Sequence, residues 1–333
     1  MQAFLLDGYG AIADHVKLAE LADPVAGPDD VLIELHAASL NPIDFKIARG
    51  DLKRVSKYRL PRTFGFDGSG IVLSAGARAT RFKPGDAVYL RASRETIGTF
   101  AEKIALPVQF VALKPARASH AQAASLPLVG LTTLQGFAKV GAHAGQRILI
   151  HAGAGGIGTF AVQYAKHIGL HVTTTTSTKN ADFVKSLGAD RVIAYDRENY
   201  LDQGGGYDIV YDTLGGAFTP DAFKVVKGGG AVISLSGPPD RDFARREGAG
   251  LLVRVAVWLM SRKVYAASAE AGASYCWFFT EPDGDQLREI AGLVDAGAIK
   301  PVIDREFAFT ELPAALAYLE KGRARGKVVL KVR

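Results

Sequence analysis

Cysteine is nearly missing from this sequence of 333 residues, in which Cys276 is the single one. One thiol excludes a disulfide framework within the chain and any zinc site built on several thiolates. The seven histidines form no His-Glu-x-x-His motif, and His167 and His171, although four residues apart, lie on either side of Gly169. The sequence therefore predicts a protein with no metal site.

Long apolar runs are missing as well. The longest apolar stretch, from Leu251 to Met260, covers ten residues and contains Arg254, whereas a helix needs about 20 apolar residues to span a bilayer. The N-terminal segment has no basic stretch followed by an apolar one, so it does not resemble a secretory signal. We expect a cytoplasmic protein with no membrane partner.

Basic residues only slightly outnumber acidic ones, which gives a net charge of +6. The densest basic run extends from Lys46 to Arg62 and contains one acid, Asp51. Such a run is typical either of a solvated loop or of a surface that attracts an anionic ligand. Aromatic residues are sparse within it, which disfavours base stacking, so we predict no nucleic-acid partner.

Glycine, by contrast, is abundant, at 37 of 333 residues. The first 118 residues are typical of short strands joined by turns, with apolar strands predicted at 31–40, 68–76 and 83–90. From Ala118 onward, predicted strands alternate with helices. The predicted strands are 147–153, 171–176, 191–195, 208–212 and 231–237. This order predicts an α/β protein in which a β-rich part accompanies a Rossmann-type, doubly wound parallel sheet.

A glycine motif lies between the first of these strands and the following helix. In HAGAGGIG, residues 151–158, Gly153, Gly155 and Gly158 have Gly-x-Gly-x-x-Gly spacing. The first glycine allows a tight turn, the second lets the backbone approach a pyrophosphate, and the third allows close packing of helix on strand. The N-terminus of the helix offers N–H groups and a positive dipole end to the phosphates. The context predicts dinucleotide binding.

The end of the next strand distinguishes NAD from NADP. An NAD site usually has an acid about 20 residues after the glycines, on the ribose 2′-hydroxyl. Here the strand ends in TTTTSTKN, with no acid before Asp182. The Ser177 hydroxyl and the Lys179 charge would suit a 2′-phosphate instead, so we predict NADP(H).

Seven segments in order resemble the zinc-independent side of the medium-chain dehydrogenase/reductase superfamily, near the quinone oxidoreductases and alkenal/enone reductases. They are NPIDFK (41–46), GFDGSGIV (65–72), GLTTLQGF (130–137), HAGAGGIG (151–158), SLGADRVIAY (186–195), DTLGG (212–216) and RGKVVL (325–330). The resemblance implies a GroES-like catalytic domain from residues 1–118 and 264–333, and an NADP-binding Rossmann domain from 119–263. It implies an active site in the cleft, and a homodimer in which the strand from Ala231 to Leu235 lies at the pairing edge.

The resemblance also implies roles for individual residues. Asn41 and Thr132 would lie near the nicotinamide and substrate, with Lys46 as a further donor. The pyrophosphate would be held by Gly155, Gly156 and Ile157, within the motif that Gly153 and Gly158 complete. The 2′-phosphate would be surrounded by Ser177, Lys179 and Tyr195. The nicotinamide would be bordered by Leu214, Leu235, Phe278 and Phe279, and Lys327 would reach the cofactor from the last strand.

Departures from the zinc alcohol dehydrogenases accompany this resemblance. Their Gly-His-Glu segment stands here as Gly65-Phe66-Asp67, and their ligand cysteine has no counterpart near residues 41–44. Without a Lewis acid, alkoxide stabilisation for alcohol oxidation has no evident source. Reduction of an already polarised acceptor is therefore expected.

We predict NADPH-dependent hydride transfer to a quinone or to the C=C bond of an α,β-unsaturated carbonyl compound. One alternative is an enoyl-thioester reductase acting on CoA or carrier-protein substrates, which the basic run favours. Relatives of that kind carry a catalytic tyrosine just after the glycine that matches Gly50, where Leu52 stands nearby and Tyr58 follows. A second alternative is a dinucleotide-binding protein that acts structurally or on nucleic acid.

Overall fold

The structure is a computed structural model that describes residues 1–53, 58–246, 248 and 250–333. Its strands, in chain order, are β1 (Gln2–Leu6), β2 (Val16–Glu20), β3 (Asp30–Leu40), β4 (Arg62–Thr63), β5 (Asp67–Ala75), β6 (Ala87–Arg91), β7 (Lys103–Pro107), β8 (Val111–Leu113), β9 (Arg147–Ile150), β10 (His171–Thr176), β11 (Arg191–Ala194), β12 (Tyr207–Asp212), β13 (Val226–Ser234), β14 (Ser274–Cys276), β15 (Ile303–Ala308) and β16 (Lys327–Lys331). Its α-helices are α1 (Ile12–His15), α2 (Pro42–Arg49), α3 (His120–Ala124), α4 (Pro127–Lys139), α5 (Gly156–His167), α6 (Ala181–Ser186), α7 (Phe218–Asp221), α8 (Phe243–Arg246), α9 (Leu251–Ala271), α10 (Gly284–Asp295) and α11 (Leu312–Glu320). Among these described helices, none combines the length and apolar character needed to cross a bilayer.

The chain divides into two compact units, the first formed by Met1–Leu131 with Glu281–Arg333 and the second by Thr132–Thr280. The first unit is β-rich and contains two sheets, one in the order β2-β1-β4 and one in the order β15-β16-β3-β5-β6-β8, with β7 also paired to β3. The C-terminal strand β16 is antiparallel to β3, with Val328 opposite Leu40. Both ends of the chain thus build one unit.

The second unit is a six-stranded sheet in the order β11-β10-β9-β12-β13-β14, in which every pairing is parallel. Alternate residues of its central strands enter different cores. Ile148 and Ile150 pack with helices α4 and α5, whereas Leu149 between them packs with Tyr200, Phe223 and Val264. Because side chains alternate across a strand, apolar layers cover both faces, as expected of a doubly wound sheet.

The junctions between the units differ from those predicted at 118/119 and 263/264. The second predicted junction falls inside α9, which continues to Ala271 because Val264, Ala267 and Ala271 keep packing against the apolar core of this unit. The chain then adds β14 beside β13. Residues 264–280 therefore belong to the Rossmann-type unit rather than to the β-rich one.

The predicted position of the strand from Ala231 to Leu235 needs correction. This strand forms part of β13, which pairs with β12 on one side and with β14 on the other. The short strand β14 (Ser274–Cys276) is the one at the end of the sheet. The resemblance, and not a pattern in the residues, implied the edge position of the strand from Ala231 to Leu235.

Candidate functional site

The glycine motif occupies the turn between β9 and α5. Gly153 donates its N–H to the Thr175 carbonyl at 2.9 Å, and Gly155 donates to the Ala152 carbonyl at 2.9 Å. Ala152 has a φ of 53°, the left-handed region that non-glycine residues rarely adopt. The strand, tight turn and helix that the motif requires are therefore all present.

The three glycines are required for different reasons. A Cβ on Gly153 would lie 2.1 Å from Thr174 Oγ1, and a Cβ on Gly158 would lie 2.2 Å from the Ala152 carbonyl oxygen. A Cβ on Gly155 would meet only that carbonyl oxygen, at 3.3 Å. Gly153 and Gly158 thus serve internal packing, whereas Gly155 is the least crowded of the three.

The N-terminus of α5 fits an anionic group. The helix has twelve residues and starts after Gly155, and among the described residues no side chain caps it. The first N–H groups of a helix have no partner within the helix, and the dipole places partial positive charge there. With the space above Gly155, the backbone of Gly156 and Ile157 suits a pyrophosphate.

The predicted 2′-phosphate residues come together at the ends of β10 and β11. Ser177 follows β10 and is nearly buried, Lys179 is exposed two residues later, and Tyr195 is 66% exposed. Tyr195 donates its N–H to the Thr176 carbonyl at 3.0 Å, which ties the two strand ends together. The structure thus brings two hydroxyls and an ammonium group to one edge of the sheet.

Asp196 is a neighbour of these residues that sequence reasoning missed. Its Oδ1 accepts hydrogen bonds from the N–H and the hydroxyl of Thr178, both at 2.9 Å. The Thr178 backbone bond is the largest cause of a lowered pKa for Asp196, so this group is a carboxylate at neutral pH. Asp196 lies two residues after the end of β11, whereas Thr178 follows β10. Its position just beyond a strand end is the signal that could have identified it.

A cavity of about 520 Å³ opens beside this edge. Its lining includes Thr175, Tyr195, Asp196, Tyr200, Leu214 and Phe218. The roles implied by the resemblance put Tyr195 at the 2′-phosphate and Leu214 at the nicotinamide, which are opposite ends of an extended dinucleotide. The shared cavity instead brings Leu214 and Tyr195 together.

Asp212 fixes the backbone around Leu214. This buried carboxylate at the end of β12 accepts from the N–H groups of Leu214 and Gly215, at 3.0 and 2.9 Å. It also accepts from the hydroxyls of Thr219 and Ser234, at 2.6 and 2.7 Å. Four donors satisfy a buried carboxylate. The DTLGG segment begins with this aspartate, and its place at a strand end was the available signal.

His151, which precedes the glycines, is uncharged at neutral pH. Burial lowers its pKa to about 4, although the nearby Asp212 opposes that shift. Its ring makes edge contacts with Tyr200 and Phe218 of the cavity lining, at centroid distances of 4.7 and 5.4 Å. An uncharged imidazole here supports the cavity wall by packing.

The other residues predicted for the nicotinamide, Thr132, Leu235, Phe278 and Phe279, all lie in the second unit. Thr132 is buried, and its hydroxyl lies 2.7 Å from that of Thr280. Leu235 and Phe278 pack against the same apolar core, and Phe279 makes an edge contact with Trp277 at 4.9 Å. Thr132, Leu235, Phe278 and Phe279 thus belong to connected parts of the second unit.

Asn41 is the centre of a buried polar network in the first unit. Its Nδ2 donates to Asp67 Oδ2 at 2.9 Å, and its Oδ1 accepts from the Lys327 ammonium. Lys327 also donates to the Leu40 carbonyl at 3.0 Å and lies 3.7 Å from Asp67. Asp67 Oδ1 accepts from the Leu128 N–H at 3.1 Å. These bonds fix the orientation of the Asn41 amide.

Lys327 lies in the same network as Asn41. Its side chain is 5% exposed, and its ammonium group holds Asn41 from within the same unit. Burial lowers the pKa of Lys327, while Asp67 and Asp44 favour its charged form. The last strand supplies this lysine to the network because β16 pairs with β3 next to Leu40.

Asp44 is the second carboxyl of this network. Its Oδ2 accepts from the Asn41 N–H at 2.7 Å and so caps helix α2. Burial raises the pKa of Asp44 to about 8, and the negative charge of Asp67 adds to this effect. Within the described part of the chain, Asp44 Oδ1 has no hydrogen-bond partner. The group thus carries a proton at neutral pH.

Arg91 is a cation of this network that sequence reasoning missed. It is buried, and its guanidinium lies over the Phe66 ring, 5.4 Å from the centroid. Burial lowers the pKa of Arg91, and Asp67 opposes this shift. Arg91 ends β6, and Asp67 is its partner in the register of β5 and β6.

The basic run is only partly described. Lys46 lies in α2, one turn after Pro42, and is half-buried. Arg54 and Lys57 lie outside the described residues. Tyr58 is buried, donates its N–H to the Tyr9 hydroxyl at 3.2 Å and packs under the Arg62 guanidinium at 4.9 Å.

Two family models match this chain. The one described as "Alcohol dehydrogenase GroES-like domain" matches residues 27–116, and the one described as "Zinc-binding dehydrogenase" matches residues 187–330. The first lies within the β-rich unit, and the second begins in the parallel sheet and ends in the C-terminal strand. The predicted fold class, a GroES-like domain with a Rossmann-type sheet, is confirmed.

Known proteins are similar over the whole chain. The 2-methylene-furan-3-one reductase of Solanum lycopersicum is 35% identical, with 99% of this chain and 79% of that protein covered. The "NADPH-dependent alkenal/one oxidoreductase, chloroplastic" of Arabidopsis thaliana is 33% identical over the same shares. The quinone oxidoreductase of Coxiella burnetii has a TM-score of 0.86 and 31% identity, covering 100% of this chain and 99% of that chain. The chain therefore belongs to the medium-chain dehydrogenase/reductase superfamily, on its quinone oxidoreductase and alkenal/enone reductase side.

Proposed function

We propose that this protein is an NADPH-dependent oxidoreductase that transfers a hydride to a quinone or to the C=C bond of an α,β-unsaturated carbonyl compound. The observation that carries the proposal is the glycine turn, in which a Cβ on Gly155 would meet one backbone oxygen at 3.3 Å, at a helix start that no described side chain caps. The names of the Solanum, Arabidopsis and Coxiella relatives support the same reaction class.

The cofactor contacts follow from the residues present. The backbone of Gly155, Gly156 and Ile157 would hold the pyrophosphate, within the turn that Gly153 and Gly158 shape. Ser177, Lys179 and Tyr195 would surround the 2′-phosphate. We move Leu214 from the nicotinamide to the adenosine side, because it shares a cavity with Tyr195.

We assign the nicotinamide end of the cofactor to the predicted residues of the second unit that lie outside this cavity. Thr132 would contact the carboxamide, and Leu235, Phe278 and Phe279 would border the ring. When bound, NADPH supplies a hydride. The contribution of the protein is to orient the reacting groups and to exclude water.

Asn41 would polarise the oxygen of the acceptor. An amide nitrogen carries two hydrogens, and the bond to Asp67 uses one of them. The other would donate to the carbonyl or quinone oxygen on which negative charge develops. Lys327 would act as a positioning residue that holds the amide, and Lys46 would supply a further positive charge. We assign the final proton to water.

We propose that the reaction proceeds without zinc. The segment that matches Gly-His-Glu places Phe66 in the core and Asp67 in contact with Asn41, Leu128 and Lys327. Phenylalanine offers no ligand atom, and the carboxyl group of Asp67 already accepts two hydrogen bonds and lies 3.7 Å from the Lys327 ammonium.

The described residues give little support to the alternative that the protein is an enoyl-thioester reductase. Tyr58, the remaining tyrosine for the acid role, is buried against Tyr9 and Arg62. Burial also raises its pKa, so its hydroxyl is a weaker acid than usual. The quinone and enone acceptors therefore stay the leading proposal.

We further propose a cytoplasmic homodimer. The end strand β14 leaves one side of the parallel sheet available for a second copy. The compartment varies among relatives, since the Arabidopsis protein is named as chloroplastic. Sedimentation velocity tests the dimer, and cell fractionation tests the compartment.

The acceptor is tested by mixing the protein with NADPH and, separately, 1,4-benzoquinone, an enal, an enone and crotonyl-CoA. We expect NADPH oxidation with the quinone or with the free enal and enone, and little with crotonyl-CoA. Turnover of crotonyl-CoA as fast as that of the enone would favour the thioester alternative. No oxidation with any acceptor would contradict the proposed reaction.

A further inference from the structure

The first half of helix α9 exposes a concentration of apolar side chains. Fourteen large hydrophobic residues are exposed in the described chain, and seven of them lie between Leu251 and Met260. They are Leu251, Leu252, Val253, Val255, Trp258, Leu259 and Met260. Contiguous exposed apolar patches of this kind mark interaction sites on soluble proteins.

The pattern along α9 is the reverse of that in an ordinary surface helix. Val257, Ser261 and Val264 are buried and mark the inner face. At 100° per residue, Leu252, Val255 and Leu259 lie on the opposite, outward face, and Leu252 is 87% exposed. A surface helix normally carries polar residues there, so this face requires an apolar environment outside the chain.

The charges on the helix identify the chemistry of that environment. Arg254, Arg262 and Lys263 are exposed beside the apolar residues, and the single acid of the helix, Glu270, lies in its last turn. Within the described residues, no ion pair neutralises these three cations. A partner that is apolar at its centre and anionic around it is complementary to this arrangement.

We propose that the outward face of α9 docks on an anionic lipid surface, with its axis in the plane of the membrane. Apolar side chains, an interfacial tryptophan and flanking basic residues are the features of helices that bind this way. Leu252, Val255 and Leu259 would enter the acyl boundary, and Trp258 would lie at headgroup level. The inference replaces the expectation of no membrane partner, which rested on the short length of the apolar run.

A second copy of the chain is the competing occupant, and the charges disfavour it. Symmetric pairing of two α9 faces would place six cations at one interface, namely Arg254, Arg262 and Lys263 of each copy. Like charges at an interface oppose association, and the face offers no acid to offset them. The membrane proposal does not depend on the proposed reaction, because lipid binding needs neither NADPH nor an acceptor.

Vesicle co-sedimentation of the full chain tests the proposal. We expect binding to vesicles of phosphatidylcholine with phosphatidylglycerol to exceed binding to phosphatidylcholine alone by about tenfold or more, and to weaken with salt, because each basic residue near an anionic surface adds attraction. The double variant Leu252→Glu/Leu259→Glu should lose about tenfold or more in binding. Arg262→Glu/Lys263→Glu should remove the preference for the anionic vesicles.

The matched control is Val25→Glu, because Val25 is a 90% exposed apolar residue in the other unit. It should bind vesicles like the unaltered protein. All of these positions are exposed, so unchanged Tm values verify folding.

Two results would overturn the proposal. One is equal vesicle binding by Leu252→Glu/Leu259→Glu and the unaltered protein. The other is no vesicle binding at all, with Leu252→Glu/Leu259→Glu lowering the mass in sedimentation velocity, which would assign the face to a second copy.

Discussion

At the scale of single residues, the polar groups of this protein act in pairs whose members are distant in sequence. Lys327 and Asn41 are 286 positions apart, yet the ammonium of one holds the amide of the other. Asp212 also joins distant positions, because its carboxylate accepts from the Ser234 hydroxyl, 22 positions away, besides the nearby N–H groups of Leu214 and Gly215. Lys327 and Asp212 thus hold groups that we assign to the site.

Lys179 should determine the preference for NADPH over NADH. We expect Lys179→Ala to raise the KM for NADPH about tenfold, since a charge-assisted hydrogen bond to a phosphate contributes roughly 1.5–3 kcal/mol and exposure reduces this. The KM for NADH should change little, because NADH lacks the 2′-phosphate. Steady-state kinetics with both cofactors checks this.

Lys185→Ala is the control, because Lys185 is also exposed and lies on the next helix, α6. It should leave both KM values unchanged. Equal use of NADPH and NADH by the unaltered protein would show that Lys179 and Ser177 do not select the phosphate.

Asp44 should make the stability of the protein fall as pH rises. Its pKa is raised from an ordinary 3.8 to about 8 by burial. For such an acid the stabilisation is complete below pH 4 and is lost as pH rises through 8, because only the folded state retains the proton. Asp44→Asn lacks this titration. The difference in free energy of unfolding between this variant and the unaltered protein should therefore shift in favour of the variant by up to about 1.4 kcal/mol per pH unit between pH 4 and 8.

Urea unfolding at several pH values measures this difference. Asp14→Asn, at an exposed acid of the same unit, should keep a constant difference from the unaltered protein. A constant difference for Asp44→Asn as well would mean that the Asp44 carboxyl ionises normally in the fold.

At the scale of elements, the prediction succeeded where the pattern is local. The strand at 171–176 has the bounds that its β-branched residues predicted, and the helix after the glycines begins at Gly156 as the motif requires. Helix α9 continues past the junction predicted at 263/264, and β14 has only three residues. Packing on the sheet decides both, and a single sequence does not reveal it.

The glycine turn offers a direct test at this scale. Gly155→Ala should fold with a Tm close to that of the unaltered protein, because the new Cβ meets only one oxygen at 3.3 Å and the φ of −78° suits alanine. It should nevertheless weaken NADPH binding about tenfold or more, because the methyl group occupies the side from which the pyrophosphate approaches.

Gly158→Ala is the contrasting variant. Its Cβ would lie 2.2 Å from a backbone oxygen, and such overpacking typically costs about 1–3 kcal/mol of stability or more. Its Tm should therefore fall. Calorimetry and NADPH fluorescence titration together separate the two effects. If Gly155→Ala binds NADPH as tightly as the unaltered protein, the pyrophosphate does not bind at this turn.

At the scale of the whole molecule, the sequence indicated two units and the return of the last strand to the first one. The motifs identified the glycine turn, Ser177, Lys179 and Asn41, since each has a local signature. Asp196 and Arg91 were missed because each contacts a residue on or beside a different strand, and Asp212 because its Ser234 partner lies on β13. The cavity that Leu214 and Tyr195 share likewise depends on the strand order β11-β10-β9-β12.

The central proposal is that this protein transfers a hydride from NADPH to a polarised acceptor without zinc. The most direct measurement is the rate of NADPH oxidation with 1,4-benzoquinone or an enone, before and after chelator treatment that removes bound metal. We predict acceptor-dependent oxidation whose rate is unchanged by the treatment. A rate that disappears with the chelator and returns with zinc, or no oxidation with either acceptor, would contradict the account.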